Sequence, residues 1–414
     1  MDIKSYLDNS YTAYHAVANA SAMLDEEGFS ELRLDENWTL EEGGKYYVKK
    51  NGTCLIAFRI GEQFSYMVAE SHTDSPSLHV KGNSLIPSPE GKRLNVEKYG
   101  GAILYSLTDI PLKLAGRLVV NDNGTLRERT VVSDFFLNVP SLAIHHNPTV
   151  NDGCALNVQT DMLPLIGDID DLYSTLTTEN VVDSDLYVAP AVECYQSGAK
   201  GEYVCSPRID NLTSVYASIR ALLSTEPRGI AVAACFDNEE IGSRTKQGAD
   251  SVLLETILKK ISRALNKTEE EYLAACENGF LLSIDNAHAV HPAHPEKFDP
   301  AEKVVLNGGI VVKHHVNYST DALSSAIVKT ILDRADIPRQ DYFNRSDLRC
   351  GSTLGLMSSA SLSMNACDVG IAQLAMHSAI ETAGKEDLMR MEKFIRSFFS
   401  TSLESKDGGI SIAD

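Results

Sequence analysis

Apolar residues follow two different patterns along this chain, and the change of pattern divides it. From about residue 171 onward, segments with helical spacing alternate with short, continuous apolar runs. This alternation is typical of helices packed against a buried, mostly parallel sheet. The apolar runs include Ile230–Phe236 and Phe280–Ile284, and the helical segments include Ser251–Leu265 and Asp321–Ala335. We therefore predict an α/β fold in which helices sandwich a mostly parallel central sheet.

The N-terminal segment fits the same domain. Apolar positions at helical spacing predict one helix over Ser5–Glu27, with Gly28 as its stop. Three strand-like runs follow, at Tyr46–Lys49, Cys54–Ile60 and Tyr66–Glu70.

The middle of the chain, residues 81–170, has a different character. It contains short alternating stretches, such as Arg117–Val120 and Thr130–Phe136, separated by turn signals such as Asn121–Gly124. This pattern predicts a small β-rich domain inserted into a larger one. We assign residues 1–80 and 171–414 to the larger domain and residues 81–170 to the insertion.

Composition narrows the class of partners. The 414 residues carry a net charge of −20, which argues against nucleic acid and anionic membrane surfaces as partners. No apolar run reaches transmembrane length and Met1–Tyr14 has no signal-peptide core, so we expect a cytoplasmic protein. The eight cysteines form no CxxC pair, which predicts free, buried thiols rather than a cysteine-rich zinc site.

Acids and histidines follow several of the apolar runs. His72 and Asp74 come after the run that ends at Glu70, and Glu239 and Glu240 follow Phe236. Ligand sites of α/β proteins lie at the carboxyl ends of strands. Adjacent glutamates repel each other unless a cation holds them, so one could bind a metal while the other faces a bound water. The alternatives are an ordinary loop histidine and a solvated acidic turn.

Two further candidates have strong structural alternatives. Asp210 precedes a helical run, and a helix N-cap is the simpler interpretation of this residue taken alone. His377 lies in Gln373–Glu381, a stretch that we predict to be helical, where a packed or solvated histidine is the simpler interpretation.

A third candidate segment follows Phe280–Ile284. Asp285 comes directly after this run, and His288 and His291 follow it. The two histidines could form a separate metal site on one turn, or they could line the pocket.

Together these segments supply two histidines and three carboxylates, with one glutamate to spare. Two divalent ions that share a bridging carboxylate need about this set of ligands.

The chain resembles the M18 (aspartyl aminopeptidase) family of metalloaminopeptidases. The resemblance rests on ordered motifs that cover nearly the whole chain: SHTDSP (71–76), SLAIH (141–145), PRIDNL (207–212), DNEEIGS (237–243), DNAHAVHP (285–292), YSTDA (318–322), CGSTLG (350–355) and AQLAMHS (372–378).

The resemblance implies a ligand for each position of a dimetal site. His72 and Asp285 would hold one ion, Glu240 and His377 the other, and Asp210 would bridge them. It implies two divalent ions in each subunit, with Zn²⁺ expected and Mn²⁺ or Co²⁺ as alternatives.

The resemblance also implies roles around the metals. Glu239 would be the general base and Asp74 would orient His72. His145, in the inserted dimerisation domain, would reach the active site of a partner subunit, while Lys313 and Tyr318 would contact the substrate. For Lys313, a strand-end lysine in solvent is the alternative.

The expected activity is removal of the N-terminal residue from peptides with a free amine, with a preference for an acidic residue. A neutral aminopeptidase, a dimetal deacylase or carboxypeptidase on a related fold, and a non-catalytic assembly protein are the alternatives. The family further implies a homo-oligomer built from dimers, a tetrahedral dodecamer.

Overall fold

The computed structural model describes residues 1–351 and 353–413. Asp414, the last residue of the predicted larger domain, lies outside this part. Within the described residues there are nine α-helices: α1 Ile3–Asn9, α2 Ala13–Glu26, α3 Val158–Asp161, α4 Ile209–Ser224, α5 Leu253–Ala264, α6 Glu269–Glu277, α7 Ala322–Arg334, α8 Gly355–Leu362 and α9 Lys385–Phe399.

The same residues form twenty-two strands: β1 Ser30–Glu31, β2 Lys45–Lys50, β3 Cys54–Ile60, β4 Tyr66–His72, β5 Ser77–Ser88, β6 Gly91–Tyr99, β7 Leu112–Asp122, β8 Thr125–Val132, β9 Leu165–Gly167, β10 Val181–Pro190, β11 Tyr195–Ser197, β12 Tyr203–Ser206, β13 Ile230–Phe236, β14 Phe280–Ile284, β15 Ala287–His288, β16 Ile310–His314, β17 Arg339–Phe343, β18 Asn365–Gly370, β19 Ala372–Leu374, β20 Glu381–Gly384, β21 Ser402–Lys406 and β22 Gly409–Ala413.

A nine-stranded sheet forms the centre of the molecule, in the order β1-β2-β3-β13-β4-β14-β18-β16-β17. Strands β13, β4, β14 and β18 run parallel to one another, while β3 and β16 are antiparallel to their inner neighbours. The prediction of a mostly parallel sheet is confirmed, and the apolar runs at β3, β13 and β14 have the predicted bounds.

Helices cover both faces of this sheet, as predicted. Alternate residues of one strand face opposite ways, so Ala231 packs in the core with α4 and α9, whereas Val232 packs with α5 and α6. Both cores are built from fully buried side chains.

The predicted N-terminal helix is wrong in one respect. The chain forms two helices, α1 and α2, separated at residues 10–12. Thr12 is extended, with φ −141° and ψ 170°, and precedes the first turn of α2 as its N-cap. The apolar spacing runs through this break because both helices pack on the same core.

A six-stranded antiparallel sheet, in the order β8-β7-β10-β5-β6-β9, contains the segment predicted as an insertion. Its strands extend beyond the predicted limits of 81 and 170, because β5 starts at Ser77 and β10 ends at Pro190. Strand β10 belongs to this sheet since it pairs with β7 along its whole length. The division of the chain into domains stays a prediction.

A five-stranded sheet, β11-β12-β20-β19-β15, lies next to the central one. It joins segments that follow or precede the candidate ligands, because β12 leads to Asp210, β15 follows Asp285, and the β19–β20 connection contains His377. Within the described part of the chain, no helix is both long and apolar enough to cross a membrane.

Candidate active site

Six predicted site residues meet in one open cleft of about 880 Å³ at the carboxyl ends of the central strands. They come from different elements of the fold and line the cleft together: His72, Asp210, Glu239, Glu240, Asp285 and His377. These residues are far apart in the sequence, and the parallel strands β4, β13 and β14, whose ends lie side by side, bring them together.

The first group of ligands surrounds His72. Its Nε2 atom lies 3.4 Å from Asp210 Oδ1 and 3.6 Å from Asp285 Oδ1. The second group surrounds His377, whose Nε2 lies 3.4 Å from Asp210 Oδ2 and 3.3 Å from Glu240 Oε1. The two oxygens of the Asp210 carboxylate therefore belong to different groups.

These spacings fit a metal. Nitrogen and oxygen ligands bound at about 2.0–2.1 Å in a tetrahedron are about 3.3–3.4 Å apart. Within each group the candidate ligand atoms lie within 4.8 Å of one another. Among the described residues, Asp210 Oδ1 and Glu240 Oε1 are buried and accept no hydrogen bond. Burying such oxygens is costly unless a cation or a donor compensates them.

Both histidines direct the same nitrogen at the carboxylates. His72 Nδ1 lies 3.0 Å from the backbone oxygen of Asp74, and His377 Nδ1 lies 3.3 Å from that of Gly101. A carbonyl oxygen only accepts, so Nδ1 carries a proton in each contact, and Nε2 is the nitrogen that would bind a metal in place of its own proton. This is the arrangement of histidines that bind metals.

The ionisation of the cluster reflects an excess of negative charge. Burial opposes the charged form of Asp210, but His377 and His72 outweigh it and lower the pKa of this carboxyl. Burial would lower the pKa of His377, but Asp210 and Glu240 raise it to about 10. Burial, followed by repulsion from Asp210, raises the pKa of Glu240 well above its ordinary value. Divalent cations would satisfy this demand for positive charge.

Asp74 holds the turn that carries the two glutamates. Its Oδ1 accepts the backbone N–H of Glu239 at 3.1 Å, and its Oδ2 accepts that of Glu240 at 3.2 Å. The Tyr99 hydroxyl donates to Oδ2 at 2.7 Å. The Asp74 carboxylate also lies 3.4 Å from His72 Nδ1. Asp74 therefore positions the glutamates as well as His72.

The predicted helix around His377 is wrong. His377 lies in a turn between β19 and β20, with φ 67°. These strands pair with each other, and tertiary pairing overrides the local helical spacing. For Asp210, the alternative of a helix cap is not favoured, because its carboxylate faces the two histidines instead of capping α4.

Lys313 is not a lysine in solvent. Its side chain is 3% exposed, and Nζ donates to Asp285 O at 2.9 Å and to Asp285 Oδ2 at 3.3 Å. Nζ also lies 5.3 Å from the ring centroid of Tyr318, which lines the cleft. Cys350 donates to the Tyr318 hydroxyl. Ser352, in the same CGSTLG segment, lies outside the described residues.

The remaining predicted residues lie elsewhere. His288 lines the cleft, whereas His291 is exposed and packs against the ring of His294. Neither belongs to a group of three possible metal ligands among the described residues. His145 is exposed in a short 3-10 turn and is not among the residues that line the cleft of its own chain.

Several residues of the site escaped the sequence analysis. Glu381 is buried beneath the ligands, and Tyr99 holds Asp74. The pair Gly100 and Gly101 approaches the ligands closely, because a Cβ on Gly101 would lie 3.1 Å from His377 Nδ1. A glycine pair next to a tyrosine was the available signal.

Cysteine chemistry plays no part in the cluster. Six of the eight cysteines are buried, as predicted, while Cys350 is half-buried and Cys154 is exposed.

The helix-covered, mostly parallel sheet and the carboxylate–histidine cluster at its strand ends define a metal-dependent hydrolase.

Comparison with known proteins identifies the family. A family model described as "Aminopeptidase I zinc metalloprotease (M18)" matches this chain at residues 6–175 and 169–399. A "Probable M18 family aminopeptidase 2" of Clostridium novyi is 36% identical over 423 residues, covering 96% of this chain and 98% of the relative. A protein with the same description from Pseudomonas savastanoi pv. phaseolicola is 33% identical, with 96% of each chain covered.

Solved structures agree. The chain resembles one in the cryo-EM structure of the Ape4 and Nbr1 complex, with a TM-score of 0.90 and 31% identity over 96% of this chain and 84% of that one. It also resembles the S. cerevisiae mApe1 dodecamer, with a TM-score of 0.83 and 25% identity over 96% of this chain and 95% of that one.

The chain belongs to the M18 family of zinc metalloaminopeptidases. It is therefore an enzyme that hydrolyses peptides at the N-terminus, and the prediction of a metalloaminopeptidase is confirmed. This membership argues against the alternative of a non-catalytic assembly protein.

Proposed function

We propose that the chain is a dimetal aminopeptidase in which Asp210 bridges two ions. The observation that carries this proposal is the orientation of one carboxylate, whose Oδ1 lies 3.4 Å from His72 Nε2 and whose Oδ2 lies 3.4 Å from His377 Nε2. Asp285 would complete one set of ligands and Glu240 the other. Zn²⁺ fits the imidazole and carboxylate donors, as do Mn²⁺ and Co²⁺.

When bound, such ions supply a water of lowered pKa and polarise the scissile carbonyl. Glu239 is the chain's own proton acceptor. It lies beside His72 and Glu240 but makes neither of the two contacts to Asp210. Burial raises the pKa of Glu239 to about 8, a rise that His72 opposes and Asp285 reinforces. The positive charge of bound ions would lower this pKa, so that the carboxylate could accept a proton.

The reaction then follows from proton transfer at Glu239. Glu239 takes one proton as the water oxygen bonds to the carbonyl carbon. It returns that proton to the nitrogen of the leaving amine as the C–N bond breaks. Water itself attacks the carbonyl and Glu239 only carries the proton, so no covalent intermediate with the protein is required.

A substrate comparison tests the proposed function. The zinc-loaded enzyme should cleave Asp-Leu and Leu-Leu dipeptides, including those with an amidated carboxyl end, and should fail on their N-acetyl forms. Removing the metal with a chelator should abolish cleavage, and Zn²⁺ should restore it. Cleavage of N-acetyl peptides together with rejection of carboxyl-blocked ones would instead favour the dimetal deacylase or carboxypeptidase.

An acidic preference at the first residue of the substrate is part of the proposal. Among the described residues that line the cleft, Lys313 is the single lysine or arginine. With a net charge of −20, the enzyme needs a local cation to hold an Asp or Glu side chain. Two of the contacts of Lys313 go to Asp285, so one N–H of the ammonium group is left for a substrate carboxylate.

Lys313→Met is expected to lower kcat/KM for Asp-peptides by about 10- to 100-fold more than for Leu-peptides, the value of a hydrogen bond to a charged group. Leu-peptides should also lose some activity, because Lys313 holds the Asp285 carboxylate. The measurement is the ratio of the two kcat/KM values. Lys329→Met is the control, since Lys329 pairs with Asp341 in a similar way outside the cleft.

An equal loss of kcat/KM on both substrates would mean that Lys313 holds only Asp285 and does not bind the acidic side chain of the substrate. A wild-type enzyme that prefers Leu-peptides would make this chain a neutral aminopeptidase.

We further propose that the chain works as a homo-oligomer built from dimers, and that His145 completes the active site of a partner subunit. The M18 relative solved as a dodecamer supports this assembly. The exposed position of His145, away from the cleft of its own chain, is compatible with a contact across subunits.

Mixing two inactive variants tests the shared site. His145→Ala and Glu239→Gln subunits should regain part of the wild-type activity after they are dissociated and reassembled together, because some sites then receive both intact residues. Each variant reassembled alone is the control. Mixed assemblies with no recovered activity, or fully active isolated monomers, would contradict the role of His145.

A further inference from the structure

A single buried carboxylate contacts two of the three segments that carry ligands of the second group. Glu381 is 2% exposed and lies at the start of β20, opposite Ser206 of β12. Its Oε2 accepts the backbone N–H of Asp210 at 2.8 Å, and its Oε1 accepts that of His377 at 2.6 Å. Each oxygen therefore holds one ligand-bearing segment.

Two side-chain amides, those of Gln373 and Asn286, connect Glu381 to the segment that carries the ligand Asp285. Gln373 Nε2 donates to Glu381 Oε1 at 3.3 Å, and Gln373 Oε1 accepts from Asn286 Nδ2 at 2.8 Å. Asn286 follows Asp285 in sequence and also donates to Ile209 O at 3.0 Å. The C=O and the N–H of the Ile209–Asp210 peptide are thus both held by this buried polar network.

We propose that Glu381 is a positioning residue that sets the separation of Asp210 and His377, and thereby the affinity for both ions. This inference rests on the proposed dimetal function. Glu381 acts through the backbone of the ligands, so it touches neither substrate nor metal. Because Asp210 contributes an oxygen to each group, a displacement of its segment affects both groups at once.

Glu381→Gln separates the charge and hydrogen-bonding role from side-chain size. An amide has one acceptor oxygen. The Oε1 position faces two donors, His377 N and Gln373 Nε2, whereas Oε2 faces only Asp210 N. The amide oxygen should therefore occupy the Oε1 position, leaving an NH₂ group against the N–H of Asp210. The variant loosens the bridging ligand and keeps His377 in place.

The test is competition for Zn²⁺ between the full-length protein and a fluorescent chelator. Glu381→Gln is expected to raise the dissociation constants of both ions by about 10- to 100-fold, as loss of a partner behind a metal ligand does. Glu381→Asp, which keeps both oxygens but reaches only one N–H, should give a smaller loss of affinity. This second variant decides the question if the first does not fold.

Asp387→Asn is the matched control. Asp387 is a fully buried carboxylate that accepts Gly309 N at 3.0 Å and Arg390 at 2.9 Å, away from the cleft. Its loss should lower the melting temperature of the metal-free protein without changing Zn²⁺ affinity. Wild-type affinity in both Glu381 variants, or equal weakening in Asp387→Asn, would overturn the proposed role of Glu381.

The wild-type protein distinguishes this failure from failure of the proposed function. Two Zn²⁺ per wild-type chain with unchanged affinity in both Glu381 variants would overturn the positioning role alone. Fewer than two Zn²⁺ per wild-type chain would overturn the dimetal function and, with it, the inference drawn from the shared Asp210.

Discussion

Asp210→Ala should purify without either metal ion, whereas the wild-type chain should carry two. Both oxygens of Asp210 face a histidine, so the substitution removes one ligand from each group. It also removes the negative charge that offsets two cations buried together. The loss of affinity should exceed the roughly 10- to 100-fold cost of losing an indirect partner. Metal analysis of the purified variants is the measurement.

Two further variants make this result specific. Asp210→Asn keeps the size of the side chain, but it is neutral and has one acceptor oxygen in place of two, so it provides a weaker bridge. Asp237→Asn removes a buried acid close to the cluster that belongs to none of the three groups of possible ligands among the described residues. Retention of both ions in Asp210→Asn, or their loss in Asp237→Asn, would contradict the bridging role.

Glu239→Gln should lower kcat by about 10²- to 10⁴-fold, the usual contribution of a general base, and should leave both ions bound. Gln has nearly the shape of Glu but cannot accept the proton of the attacking water. KM should change little, since the base acts in the transition state. Initial rates and metal analysis on the same preparation provide the two measurements.

Glu240→Gln is the natural comparison, because Glu240 is adjacent in sequence and its backbone is held by the same Asp74 carboxylate. It should lose activity together with metal from the His377 group. If Glu239→Gln kept near-normal kcat, Glu239 would have no role in catalysis. If it lost metal as Glu240→Gln does, Glu239 would be a ligand.

Much of the ligand set was accessible from the sequence because parallel strands bring their ends together. Strand β13 is an uninterrupted apolar run, and β4 and β14 are largely apolar. The acids and histidine at or after the ends of these strands therefore had to meet at one edge of the sheet. The bounds of β13 and β14 were predicted correctly because each is a fully buried strand with polar neighbours.

The conformation around His377 was beyond a local pattern. Ala375, Met376, Ala379 and Ile380 have helical spacing, yet Gln373 pairs with Ala383 across the β19–β20 turn. Glu381 was missed for a related reason. Two of its three donors are the backbone N–H groups of Asp210 and His377, and no side-chain pattern records where a backbone donor will lie. Contacts of this kind depend on the complete tertiary fold.

The wide sequence spacing of the ligands links metal binding to the folding equilibrium. The His72 group joins residues 72, 210 and 285, and the His377 group joins residues 210, 240 and 377. In an unfolded chain these side chains would be far apart, so the ions should bind the native state almost exclusively. By mass action, an ion at a hundred times its dissociation constant would add about 2.7 kcal/mol to the free energy of unfolding. The metals would thus act as clasps that close long loops of the chain, and chelation would weaken the fold as well as stop the chemistry.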